Sequence, residues 1–239
     1  MKPTNPDSRV ADLVKNGTVR VGLFPAFFYR RSPTGELKGL AIELAKALAA
    51  QIGAELVLLE YESPPGAVKA LKAGACDVGF LGVDPLRAAD VDFTAPYIKA
   101  EFSFLLPEGS KVSAIRELDD ANTRIAVVRN HAMETAMKGQ FSAAHLVHAE
   151  SPDGAFDLFC NGKADVLAGI RPGLLNYAKR VPGSRVLQDA YGVNIMALSV
   201  AKEKPERLAY LNDFLDRART TGLISRAIET VGLGGIQVI

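Results

Sequence analysis

The chain has 239 residues, 48% of them hydrophobic and 23% charged, enough apolar content for a packed core and too much for a disordered or fibrous protein. Lys and Arg number 28 against 27 Asp and Glu, a net charge of +1 scattered along the chain, which excludes nucleic acid as the expected partner. No apolar run approaches the roughly 20 residues that span a bilayer, and residues 1–18 are polar without the hydrophobic stretch of a signal peptide, so no direct membrane insertion is expected.

A soluble chain of this kind is either the trimmed form of an exported precursor or a cytoplasmic protein, if Met1 is its natural start. Cys76 and Cys160 lie in no Cys-x-x-Cys or Cys/His cluster. No metal, redox pair or cofactor is therefore expected, and both thiols read as buried small apolar residues.

In chain order, residues 18–24 alternate Val19, Val21 and Leu23 against Arg20 and Gly22, which is strand periodicity, and turn chemistry follows at residues 32–35. Leu40, Leu44, Ala47 and Leu48 recur at helical spacing until Gly53, and residues 56–59 form a continuous apolar strand. This is a β-α-β unit on a buried, parallel sheet. Two later segments share one plan: residues 68–71 lead through Gly74 to a strand at 77–81, and residues 156–159 lead through Gly162 to a strand at 165–168. A helix, glycine turn and strand repeated in each half predict two similarly built α/β lobes.

Strands are also predicted at 124–128 and 193–200. Crossings near 105–109 and 192–197 form a hinge that divides the chain into lobe 1, residues 1–106 plus 197–239, and lobe 2, residues 107–196. A helix starting at Pro205, with Leu208, Leu211, Leu215 and Ala218 on one face, ends at Gly222.

The segment Asp84-Pro-Leu-Arg87-Ala-Ala-Asp-Val-Asp92-Phe93-Thr94-Ala-Pro96-Tyr97 resembles the most recognisable motif of bacterial extracellular solute-binding proteins of the polar-amino-acid class. Residues 19–22, Gly39 with 43–48, 70–74 with Asp77, and 125–128 follow in that family's order, so the resemblance covers about residues 18–230. It implies an α/β periplasmic-binding-protein type II fold, each lobe a mostly parallel sheet flanked by helices, and a monomer that closes over a ligand in the cleft. The implied partners are a small carboxylate ligand and an ABC permease, and the implied location is the periplasm.

The motif arginine of the family grips the ligand's carboxylate, a role that falls to Arg87, since a planar guanidinium gives a carboxylate two parallel hydrogen bonds. The bland reading is a surface arginine paired with Asp90 or Asp92. Asp84, before Pro85, reads as a helix cap. Leu81, Gly82 and Val83 lead into this site, and at least one of Phe27, Phe28 and Tyr29 lines the cleft while another packs in the core. From the other lobe come Asn130, His131 and Ala132, a helix start whose N–H groups suit an anion, with His131 reading equally as a ligand contact or a solvated loop residue.

Amino-acid binders of the family hold the ligand's ammonium with an acid at the position of Ile170, and an uncompensated buried ammonium costs several kcal/mol. An organic acid without an α-ammonium is the expected ligand. Arg171 reads as a cation for a second anionic end or, equally, as an exterior residue. The alternatives are a cyclohexadienyl-dehydratase-type enzyme using Glu101 or Lys99, and a sensory module. No Ser/His/Asp arrangement or phosphate-cradling glycine loop supports catalysis.

Overall fold

The computed structural model describes residues 7–24, 29–31, 34–129 and 131–239. It contains β1 (Thr18–Leu23), α1 (Leu40–Ile52), β2 (Glu55–Glu60), α2 (Pro64–Lys72), β3 (Val78–Gly82), α3 (Pro85–Ala88), β4 (Ile98–Leu106) and β5 (Arg124–Val128). There follow α4 (Ala132–Met137), β6 (His145–Ala149), α5 (Pro152–Cys160), β7 (Val166–Ile170), α6 (Arg171–Ala178), β8 (Gly192–Ala201), α7 (Pro205–Thr220), α8 (Leu223–Thr230) and β9 (Ile236–Val238).

The chain divides into two compact units, one of residues 1–98, 195–233 and 238–239, the other of residues 99–194 and 234–237. The first boundary falls at 98/99 rather than near 105–109, because residues 102–105 pair with 170–167 of β7 and belong with that strand. The short run 234–237 near the C-terminus also counts with the second unit.

In unit 1, β1 runs parallel to β2 (Val21 opposite Leu58) and to β3 (Val21 opposite Val78), and β8 adds antiparallel to β3. Helix α1 buries Leu40, Ala41, Leu44, Ala45, Leu48 and Ile52, each large side chain being worth about 1.5–3 kcal/mol of burial. It stops at Gly53, whose φ of 76° is the left-handed cap that glycine takes without strain. Helix α7 buries Tyr210, Leu211, Phe214, Leu215 and Ala218. Gly222 ends its turn as expected, but α8 starts directly after it, a helix the periodicity of residues 205–218 did not announce.

In unit 2, β4 pairs antiparallel with β7, β7 parallel with β5, and β5 parallel with β6. The two-residue period of β4 sends Phe102, Phe104 and Leu106 to one core, with Met133, Met137 and Tyr191, and Leu105 to another, with Phe156, Phe159 and Leu174.

Both units carry the same lock at the strand that follows the glycine turn. Asp77 accepts from Arg20 N, Nε and Nη2 at 2.9, 3.0 and 2.8 Å. Asp165 accepts from Arg124 N, Nε and Nη2 at 2.8, 3.1 and 2.7 Å. The fold is that of the periplasmic-binding-protein type II class, with parallel strands, flanking helices and long-range crossovers in each unit.

Candidate functional site

In unit 1, β3 carries the buried Leu81 and Gly82 and delivers the chain to the exposed Val83, whose N–H donates to Ile195 O at 2.8 Å. Asp84 then caps α3, its Oδ1 accepting from Leu86 N at 2.8 Å and Arg87 N at 3.3 Å, with Pro85 at the first helical position. This holds Arg87 half-buried, with Nη1 donating to Gly82 O at 2.9 Å. Burial lowers the guanidinium's pKa, against the opposing pull of Asp84.

The carboxylates that would make Arg87 an ordinary surface pair are engaged elsewhere. Asp90 is bound to Lys72, and Asp92 to Lys202 at 2.7 Å. Among the described residues Arg87 has no carboxylate partner, and Nε and Nη2 have no hydrogen-bond acceptor. Arg87 also lines a surface groove of about 550 Å³ with Pro65, Val68, Lys72 and Leu86.

Tyr29 is the core aromatic of its loop: it is 7% exposed and donates its hydroxyl to Glu60 at 3.3 Å, burial pushing its pKa up. Phe27 and Phe28 lie outside the described residues.

In unit 2, Asn130 also lies outside the described residues, and His131 is the N-cap of α4. Its Nδ1 accepts from Met133 N at 3.3 Å, which puts the ring proton of the neutral form on Nε2. One of the helix-start N–H groups expected to meet an anion is therefore satisfied internally. Ala132, half-buried, begins the helix. Behind it Glu134 meets His148 Nε2 at 2.9 Å.

Ile170 ends β7, half-buried against the core of Phe102 and Tyr191. Arg171 does not stand as a free cation. Its Nε donates to Glu101 Oε2 at 2.8 Å, Nη1 to Leu187 O at 2.9 Å, and Nη2 to Gln188 O at 2.7 Å and Asp189 O at 3.2 Å. Its side chain is 12% exposed. The reason is register: Ile170 stands opposite Phe102, so the next antiparallel pair sets residue 171 against residue 101. Sequence spacing cannot show a pairing of residues 70 positions apart. Glu101, weighed as an acid or base, is thus committed to an ion pair, and Lys99 is half-buried on the same strand. Among the described residues no group of three or more His, Cys, Asp or Glu is placed to hold a metal, and no helix is long and apolar enough to cross a membrane.

Comparison with known proteins agrees with this architecture. The family described as bacterial extracellular solute-binding proteins, family 3, matches residues 19–231. The glutamine-binding protein of Geobacillus stearothermophilus is 24% identical over 196 residues, 79% of this chain and 74% of that protein. An ancestral amino acid-binding protein described as a precursor of cyclohexadienyl dehydratase superposes with a TM-score of 0.81 at 26% identity, covering 93% of this chain and 99% of that one. A putative binding component of an ABC transporter from Wolinella succinogenes, complexed with lysine, gives a TM-score of 0.83 at 24% identity over 90% and 95% of the two chains.

A capped helix that presents a half-buried arginine, on a type II binding fold, defines a solute-binding protein. The chain belongs to the bacterial extracellular solute-binding proteins, family 3.

Proposed function

We propose that this chain is the solute-binding component of an ABC-type uptake system acting outside the cytoplasmic membrane, and that Arg87 holds the carboxylate of a small organic acid without an α-ammonium. The observation that carries the reading is the state of Arg87: partly desolvated, fixed by the Asp84 cap and Gly82 O, and without a carboxylate partner among the described residues. A guanidinium in that condition gains more from an incoming carboxylate than an exposed one does, because water competes less for the same bonds.

The absence of an ammonium contact rests on Ile170, apolar at the position where the family's amino-acid binders carry an acid. An ammonium buried there without a counter-charge loses about a hundredfold or more in affinity. Arg171, tied to Glu101 and three carbonyl oxygens, withdraws the support for a dicarboxylate and favours a monocarboxylic acid. A binding role is favoured over dehydratase chemistry because Glu101, the acid weighed for proton transfer, is held by Arg171.

The relatives named for glutamine and lysine support a second reading, an amino acid as solute. Calorimetric titration of ligand-stripped protein with monocarboxylates and L-amino acids, with Arg87→Ala as control, separates the two. Monocarboxylate binding that falls about a hundredfold in the variant supports the first reading. Tight binding of an amino acid with no response to organic acids overturns it.

A further inference from the structure

Helices α2 and α3, both in unit 1, carry the residues that line the surface groove of about 550 Å³. Its apolar part is open to solvent. Pro65 is exposed, Val68 is 7% exposed, and Leu86, at 84%, is the most exposed large hydrophobic side chain among the described residues. A lone surface leucine is ordinary, but one set beside other apolar residues in a concavity is a contact surface in waiting.

The charges of the groove are one-sided. Lys69, Lys72 and Arg87 line it against a single carboxylate, Asp90, a net of +2 on a chain whose total is +1. Asp90 is already bound to Lys72, and Lys69 is exposed with no carboxylate partner among the described residues. An apolar notch with surplus cations complements a segment that is apolar on one face and acidic beside it.

We propose that this groove is a docking surface for an acidic amphipathic segment of a partner protein, whose apolar side chain packs on Leu86 and Pro65 while its carboxylates meet Lys69 and Lys72. Burial of Leu86 supplies affinity, and the lysines supply orientation and encounter rate. The inference goes beyond the solute reading and holds whichever solute is bound. It does not use the guanidinium of Arg87, which is turned to Gly82 O.

The test titrates the full chain with an amphipathic Glu/Leu peptide of about 15 residues, with its twin carrying Gln for every Glu, and with phosphatidylglycerol vesicles. Fluorescence anisotropy reads the peptides and co-sedimentation reads the vesicles. The acidic peptide is expected to bind saturably below millimolar concentration and more weakly as salt rises, with the neutral twin about tenfold weaker. Leu86→Ser and Lys69→Glu are each expected to weaken the acidic peptide about fivefold or more. Lys163→Glu, a charge reversal at an exposed lysine of unit 2, is expected to leave it unchanged. All three substitutions fall at exposed positions, and near-UV circular dichroism verifies their folding.

Binding that survives Leu86→Ser, or that Lys163→Glu weakens as much as Lys69→Glu does, overturns the inference. So does the lack of saturable peptide binding below millimolar concentration, and so does binding to vesicles in place of the peptide, which assigns the groove to a lipid surface.

Discussion

The two units solve one structural problem with the same parts and then use the next arginine differently. Each has a helix, a left-handed glycine turn (Gly74 and Gly162, φ 66° and 67°), an aspartate locked to the arginine that opens or adjoins the neighbouring strand, a buried strand, and a helix begun with proline near its first position. After the strand of unit 1 comes Arg87, which no carboxylate engages among the described residues; after that of unit 2 comes Arg171, which Glu101 and three carbonyls engage at all three nitrogens. A repeated scaffold therefore does not imply a repeated role. The locks differ in depth as well. Asp77 is buried and also meets Arg207 at 3.5 Å, whereas Asp165 is 42% exposed and, among the described residues, serves Arg124 alone.

Breaking the buried lock should cost most. Asp77→Asn removes the buried carboxylate that serves Arg20 and Arg207 together, leaving Arg207 with Asp12 alone, and should lower unfolding free energy by about 3 kcal/mol in urea titration. Asp165→Asn should cost no more than about 1 kcal/mol, and equal losses would dissolve the contrast.

Arg171→Met should cost about 2–3 kcal/mol, because three carbonyl oxygens lose a charged donor. Arg87→Met should leave the melting temperature of the ligand-free protein unchanged or slightly raised, since it removes a partly desolvated charge that has one carbonyl bond and no carboxylate partner among the described residues.

Gly74→Ala and Gly162→Ala should each cost about 1 kcal/mol, the same in both units, because each turn needs the left-handed backbone. The smallest effect is with acid. The hydrogen bonds from Arg124 hold the Asp165 carboxyl below the usual carboxylate range, so its stabilisation is present above the ordinary aspartate value of about 4 and is lost as pH falls through the folded value. The stability gap between wild type and Asp165→Asn should be full at pH 7 and close as the medium becomes strongly acidic, as read by denaturation at each pH.

The repeated plan was legible because it is local. Helix spacing, the glycine turns and the apolar strands all lie within about fifteen residues of one another, and Asp84 before Pro85 announces its own cap. The candidate anchor Arg87 was legible for the same reason, as part of a contiguous motif.

What stayed hidden depends on which strands become neighbours. Arg171 reads as a spare cation until β4 and β7 set Glu101 opposite it, and Asp90 reads as a partner for Arg87 until α2 brings Lys72 to it. His131 is a helix cap, a role that no spacing rule distinguishes from a loop histidine. Burial of single residues was equally opaque: Tyr29 packs inward on Glu60, and Cys160, expected in the core, is exposed at the last turn of α5.

That last difference gives the protein a chemical handle. Cys76 is sealed, its thiol pushed up to about 11 by burial, while Cys160 opens to solvent in unit 2 with a pKa also raised by desolvation. A maleimide dye applied under mildly alkaline conditions, where more of the thiol is ionised, should attach once per chain without any engineered cysteine. The native sequence thus carries a ready position for a fluorescent reporter on the unit that holds Glu101 and Arg171.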